Sequence, residues 1–305
     1  MTMVHLRVVC PEDAADRVLE LLGKEVGAVA VRRHGATSDG TEITADLARE
    51  CADDVFDGLR RLGVFEHGMA TLESLDTAIG SLVERAEEEA PGEGADALIW
   101  DELISRTGED STLTGTFLAF MTLATLLASI GVVTDSQVTI VGAMVVGPEF
   151  GPLAALAVGI VHRRASIARR GANALLVGFP FALVVTSLLS LLARATNLID
   201  PTDITHRQQT DFIYHPGWFS LITALVAGTA GMLSLTSSKS AALVGVFISV
   251  TTIPAAGNAA LGGVLGQWHE TWQSLAQLGI NLAGIVAAGV ATLAARAGFS
   301  RARAA

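Results

Sequence analysis

Over its first 76 residues the chain alternates short strand-like and helix-like patterns of apolar positions. "MVHLRVV" places them with period two, "PEDAADRVLELLGKEVG" opens on proline and spaces its leucines by helical turns, and "AVAVRRH" returns to a strand. "TEITADL" after the loop "GATSDG" predicts a third strand, "ARECADDVFDGLRRLG" a second helix ending on Gly63, and "GMATLESL" a fourth strand. The order β-α-β-β-α-β is that of a small α+β, split βαβ, ferredoxin-like sandwich, a fold that serves many functions. Residues 77–110 read as a helical linker. In it "TAIGSLVERAEEEA" is a helix, "PGEGA" a connection, and "DALIWDELISRT" sets Leu98, Ile99, Leu103 and Ile104 near one helical face with Trp100 at its edge. That amphipathic face is expected to lie along the membrane or on a neighbouring subunit.

From residue 111 the short period gives way to six long apolar segments, near 112–133, 137–161, 171–193, 217–235, 241–265 and 273–295. Each is close to the roughly 20 residues that cross about 30 Å of hydrocarbon. Composition agrees: 50% of the residues are hydrophobic and 17% charged, and the mean hydropathy of +0.49 is that of a membrane protein. Charge divides the chain at the same place, since 25 of the 31 acids but 10 of the 20 Lys and Arg fall in the first 110 residues. An acidic soluble domain thus precedes a six-span domain, 111–296, and a short tail, 297–305.

Met1 to Cys10 runs straight into polar sequence, so no secretory signal is read and the front domain is expected in the cytoplasm. Connections on one side of the spans carry eight Lys or Arg (Arg163, Arg164, Arg169, Arg170, Lys239, Arg296, Arg301, Arg303), and the other side carries Arg194 and Arg207. This places both termini in the cytoplasm of a bacterial inner membrane, with Trp218, Trp268 and Trp272 at the outer interface. Cys10 and Cys51 have neither a metal-ligand spacing nor the company for a disulfide framework, and read as small buried thiols. No metal or cofactor is expected, and no nucleic-acid partner.

The second and fifth spans are interrupted, by Gly147-Pro148-Glu149-Phe150-Gly151-Pro152 and by Pro254-Ala255-Ala256-Gly257-Asn258. After the first break Gly171-x-Asn173 opens the third span, and after the second Gly279-x-Asn281 opens the sixth, at 23 and 25 residues from the prolines. Two three-span repeats of inverted topology follow from that match. Backbone groups freed by such breaks are tolerated where protein buries them or solute reaches them. The residues expected to line a midplane solute site are therefore Pro148, Glu149, Gly151, Pro152, Asn173, Pro254, Gly257, Asn258 and Asn281. Of the acids beyond residue 110, Glu149 alone lies deep in an apolar run, where it binds a cation, exchanges a proton or caps the following half-helix.

In "TIVGAMVVGPEFGPLAALAVGIV" and "TIPAAGNAALGG" the chain resembles a widespread family of uncharacterised bacterial membrane proteins that share a membrane core of unknown function. The resemblance covers roughly residues 98–296. Members carry a Ser-Pro-Leu-Met-Gly-Pro version of the break, so this chain departs from them at Glu149. The resemblance implies the membrane fold and brings no substrate with it.

The expected function is that of a small-solute transporter or channel, gated by a cytoplasmic domain that senses a ligand. Arg32, Arg33 and His34 beside a Gly- and Ser-rich loop are the candidate contacts for an anionic metabolite or nucleotide. The competing reading of that cluster is solvated residues of a hairpin balancing nearby acids. The alternative function is a membrane-anchored sensor or scaffold without transport. Small residues in the spans favour close helix packing and a homo-oligomer under either. No His-x-x-x-His pair, Ser-Lys dyad or paired Asp stands at catalytic spacing in the spans, so an enzyme is not expected.

Overall fold

In the computed structural model, which describes residues 3–75, 77–90, 99–204, 207–236 and 251–303, alternation becomes burial from the first strand. β1 (Met3–Cys10) turns Val4, Leu6, Val8 and Cys10 into one core. α1 (Glu12–Lys24), β2 (Ala28–Thr37), β3 (Gly40–Ala48), α2 (Ala52–Arg61), a single turn α3 (Val64–His67) and β4 (Met69–Ser74) follow. The sheet order is β2-β3-β1-β4 with every pair antiparallel, the order a split βαβ sandwich requires. Ile43, Ala45 and Leu47 from β3 meet Val18 and Leu22 of α1 and Val55 and Leu59 of α2 in that core.

Two expectations for this region are corrected. The stretch expected as a Gly- and Ser-rich loop is largely strand: β2 continues through Gly35 to Thr37, pairing Ala36 with Thr41 and Thr37 with Gly40, and two register shifts absorb the irregular sequence. Gly40 closes the tight turn at φ +131°, where a side chain would also strike the Cys10 carbonyl. The amphipathic linker helix, α5 (Trp100–Asp110), does not begin as a free apolar face. Ile99 is in the core of the sandwich, the Trp100 N–H donates to Asp53 Oδ1 at 3.0 Å, and Arg60 and Arg49 pair with Asp101 and Glu102. Leu98 and the 91–95 connection lie outside the described residues. α4 (Ser81–Glu89) supplies Ala86, which with Ala90 packs on Met3, Val29, Ala48 and Cys51 in a second cluster. Both cysteines are free and buried, as the sequence implies.

Asp53 gives this region a pH dependence of definite sign. Burial pushes its carboxyl up to about 7 against the lowering effect of the Trp100 N–H, with Asp101, Asp57 and Asp54 adding to the rise. A carboxyl raised above its unfolded value of about 3.9 takes up a proton on folding between those two values, so the fold is favoured as pH falls through 7 towards 4. Hydrogen exchange across β1, β3 and α2 in the full chain is expected to slow from pH 8 to pH 5.5 after correction for intrinsic rates. In Asp53→Asn that trend is expected to flatten.

The division between the two compact units falls between Leu103 and Ile104. The second contains α6 (Gly115–Val133), α7 (Gln137–Val146), α8 (Phe150–Val161), α9 (Ala165–Ala195), α10 (Trp218–Leu235), α11 (Thr252–Leu265) and α12 (Trp268–Arg303). Among the described residues four helices are long and apolar enough to cross a bilayer (α6, α9, α10 and Trp268–Gly298 of α12), and α7 with α8, bent by 50° at their break, form either one broken span or a re-entrant pair. Residues 241–250 of the expected fifth apolar segment, and Lys239, lie outside the described residues. Large apolar side chains face outward along α9, where Leu176, Val184, Leu188 and Leu192 are at least 59% exposed, while Thr125, Asn258 and Asn281 are buried inside. That inversion suits a surround of lipid. Trp218, Trp268 and Trp272 are exposed at the N-terminal ends of α10 and α12.

Small residues let these helices approach. Gly178 of α9 meets Phe117 of α6 and Gly284 of α12 meets Ala224 of α10, each too close for a Cβ. Gly171 sits against the Pro152 carbonyl, but Gly279 faces open space. The match of Gly171 with Gly279 is therefore not a match of environment. Gly178 and Gly284, 30 residues beyond Pro148 and Pro254, are the alike pair.

Candidate functional site

Helix α7 stops where Pro148 removes a backbone N–H, and α8 starts afresh at Phe150 with Glu149 as its N-cap residue. The Glu149 side chain bonds no N–H of its own helix. It reaches across to the second break, where Thr252 Oγ1 donates to Glu149 Oε1 at 2.6 Å. The Ile253 side chain packs against Gly147 here too, so close that a Cβ on Gly147 would lie 2.6 Å from it. Glu149 thus stands at the N-cap position of α8, and the bond its side chain makes joins the two interrupted segments. The carboxylate is 8% exposed, and its Oε2 accepts no hydrogen bond among the described residues. An acceptor left so in a buried position awaits a donor.

Thr251, the next residue, opens the neighbouring polar cluster. Its Oγ1 accepts from Asn281 Nδ2 at 3.0 Å and from Gln277 Nε2 at 3.3 Å. Gln277 and Asn281 are i, i+4 on α12, both 2% exposed, so they project from one helical face. Gln277 Oε1, like Glu149 Oε2, has no partner among the described residues. Thr251, Gln277 and Asn281 line one wall of a cavity of about 640 Å³ whose other walls include Gln137, Thr223, Gln208, Gln209, Asp211 and His215.

The far wall belongs to the connection between α9 and α10, which folds back onto its own chain. Asp135 accepts from the backbone N–H groups of Gln208, Gln209 and Thr210 at 2.9–3.2 Å and from Thr210 Oγ1 at 2.9 Å. Burial opposes its charge, but those donors together hold the carboxyl below the usual carboxylate range. Asp211 is likewise held low by the Tyr214 hydroxyl, which donates at 2.6 Å, and by His215. Arg207, which the sequence presents as an outer surface charge, is the anchor: its side chain is 1% exposed. Nε donates to the Ile204 carbonyl, Nη1 to Asn258 Oδ1 at 2.8 Å and Nη2 to Glu270, while the guanidinium lies 5.2 Å from the Tyr214 ring. Asn258 in turn donates to Ser274 Oγ at 2.8 Å. Among the described residues of the second unit Glu149 is the one fully buried acid, and Glu270, whose side chain is 13% exposed, is half-buried and paired.

The expected site residues therefore separate. Glu149 with the first turn of α11, and Asn281 with Thr251, come to adjacent positions; Asn258 joins the Arg207 cluster instead. Pro254 sits in the first turn of α11 without breaking it, and Gly257 packs on α6, where Ser129 Oγ donates to its carbonyl at 3.0 Å. Pro148 is half-buried at the break, Gly151 accommodates Asp110, and the Pro152 carbonyl meets Gly171. Asn173 stands apart on an exposed position of α9. Thr251, Thr252, Ser274, Gln277, Arg207 and Glu270 were not legible as site residues; the spacing of Ser274 and Gln277 with Asn281 at i, i+3 and i+7 in an apolar helix is the signal that points to two of them.

In the front unit, Arg33 pairs with Glu12 and with Asp16 at 2.9 Å, and His34 is 2.9 Å from Thr44 Oγ1. Of the cluster, Arg33 is thus paired with acids of its own domain and His34 meets a hydroxyl. Arg32 is exposed on β2 opposite Thr44.

No solved structure matches the chain. An uncharacterized protein of the archaeon Methanocaldococcus jannaschii is 27% identical over 168 residues, covering 55% of this chain and 50% of the relative, so the chain spans about half the length of the protein it matches. Residues 144–287, from the last turn of α7 into α12, match the family model described as Domain of unknown function (DUF389). The resemblance read from the broken spans is thus to an uncharacterised family, and its matched segment contains both breaks and the Arg207 connection.

Proposed function

We propose that this chain moves a small solute across the bilayer, as a carrier or channel, through the place where its two broken segments meet. The observation that carries this reading is the buried Glu149 carboxylate, bonded to the opposite break and left with one oxygen unpartnered. Paired breaks are the recurrent form of a midplane solute site, and a carboxylate at such depth is there for a partner. Two inverted three-span repeats are the architecture we assign to it. Pro148 and Pro254, Gly151 and Gly257, and Gly178 and Gly284 are each 106 residues apart, and in both halves a glycine of the third helix packs on the first. Flux of a small-solute panel into proteoliposomes of the full chain tests the reading. If no solute moves faster than through empty liposomes, the sensor or scaffold function takes its place.

Both termini are assigned to the cytoplasm and the 196–217 connection to the outside, on the Lys and Arg count together with the exposed tryptophans at one end of α10 and α12. A cysteine at Leu198, which is 76% exposed, is expected to react with a membrane-impermeant thiol reagent in intact cells. Labelling of that position only after lysis would reverse the orientation.

A further inference from the structure

We infer that the cavity beside the 207–215 turn receives a small cation bearing N–H donors, an ammonium or a protonated primary amine, and that Gln277 is its receptor there. The inference deepens the transport reading and rests on it for movement, though not for binding. Its ground is the balance of donors and acceptors. Among the described residues that line it, Asp211 is the one carboxylate and none is Lys or Arg. The nearby cation, Arg207, is consumed by Ile204, Asn258 and Glu270, and His215 is engaged by Asp211. Inside the wall, Gln277 Nε2 lies between Thr251 Oγ1 and Asn281 Oδ1, at 3.3 and 3.4 Å, which turns Oε1 away from both acceptors. That oxygen belongs to a side chain 2% exposed and has no donor among the described residues.

One residue further along, Thr252 donates to Glu149, whose Oε2 is the second acceptor without a donor. Both unmet groups of the wall and of the break are therefore acceptors. Glu149 does not line the cavity; there the unmet acceptor is Gln277 Oε1, with the Asp211 carboxylate on the same lining, and a solute that meets both brings hydrogen and positive charge, which an ammonium group supplies with three directed N–H bonds. Among the described residues no group of three or more His, Cys, Asp or Glu is placed to hold a metal ion, so a bare divalent ion fits less well.

Calorimetry and thermal unfolding of the purified full chain with ethylammonium chloride, sodium chloride and sodium acetate at equal ionic strength test this directly. Ethylammonium is expected to bind saturably and raise Tm, and the two sodium salts are not. Gln277→Met is expected to weaken ethylammonium binding about tenfold or more, the cost of one hydrogen bond to a charged group. Gln277→Glu, nearly the same shape with added negative charge, is expected to bind it at least as tightly as the parent chain, so a misfolded Met variant does not decide the outcome. Absence of ethylammonium binding, equal stabilisation by sodium or acetate, or weaker binding in Gln277→Glu overturns the inference. The two readings separate in proteoliposomes: ethylammonium that binds without crossing leaves this inference standing and removes transport, whereas flux of an anion with no ethylammonium binding does the reverse.

Discussion

Arg207→Met is expected to destabilise the second unit by about 3–5 kcal/mol, because it leaves Glu270 buried without its ion pair and Asn258 without its donor. The cost of placing a charge in a low-dielectric interior is large, and here it is met by one guanidinium that also satisfies a backbone carbonyl and stacks near Tyr214. The loss is expected to be read as a lower Tm of the detergent-solubilised chain and as faster proteolysis between residues 196 and 217. Adding Glu270→Gln to Arg207→Met is expected to recover part of the stability, since no charge is then left unpaired. A single Arg207→Met variant with the parent Tm and the parent cleavage rate would show that the buried pair does not hold this connection in place.

How far the sequence reveals such features depends on which physical signal a residue leaves in its neighbours. Period-two alternation in β1 and β3 leaves a strong one, so the front domain's strand order and most of its core are readable. The end of β2 is not, because turn propensity is spread from Gly35 to Gly40 while the turn itself takes only Ser38 and Asp39, and the strand pairs on through Thr37 with Gly40. Prolines and glycines inside apolar runs announce the breaks at Pro148 and Pro254. They do not announce partners, since Thr252 and Gln277 look like the small and polar residues that merely pack membrane helices. Arg207 is misread for a related reason: a loop arginine is ordinarily solvated, and the residues that draw it inward, Asn258 and Glu270, lie 51 and 63 positions away. Asn173 and Asn281 illustrate the limit of an alignment by residue type. Shifted by 106 residues, Asn281 corresponds to the buried Leu175, and Asn173 falls on an exposed position.

On the transport reading proposed here, solute passes at the junction of the two breaks, beside Glu149. An ionisable side chain at the centre of a span costs about 2.5–3.5 kcal/mol to insert, so replacing it by an amide removes a cost as well as a charge. Glutamine keeps an oxygen able to accept from Thr252 Oγ1, so the contact between α8 and α11 survives the change. The measurement that decides is flux through proteoliposomes of the full chain compared with its Glu149→Gln variant, beside the melting temperature of each. Glu149→Gln is expected to fold with a Tm equal to or above that of the parent and to transport at least tenfold more slowly. Unchanged flux together with a lowered Tm would contradict that reading, and would leave Glu149 as a bond that holds two interrupted helices together.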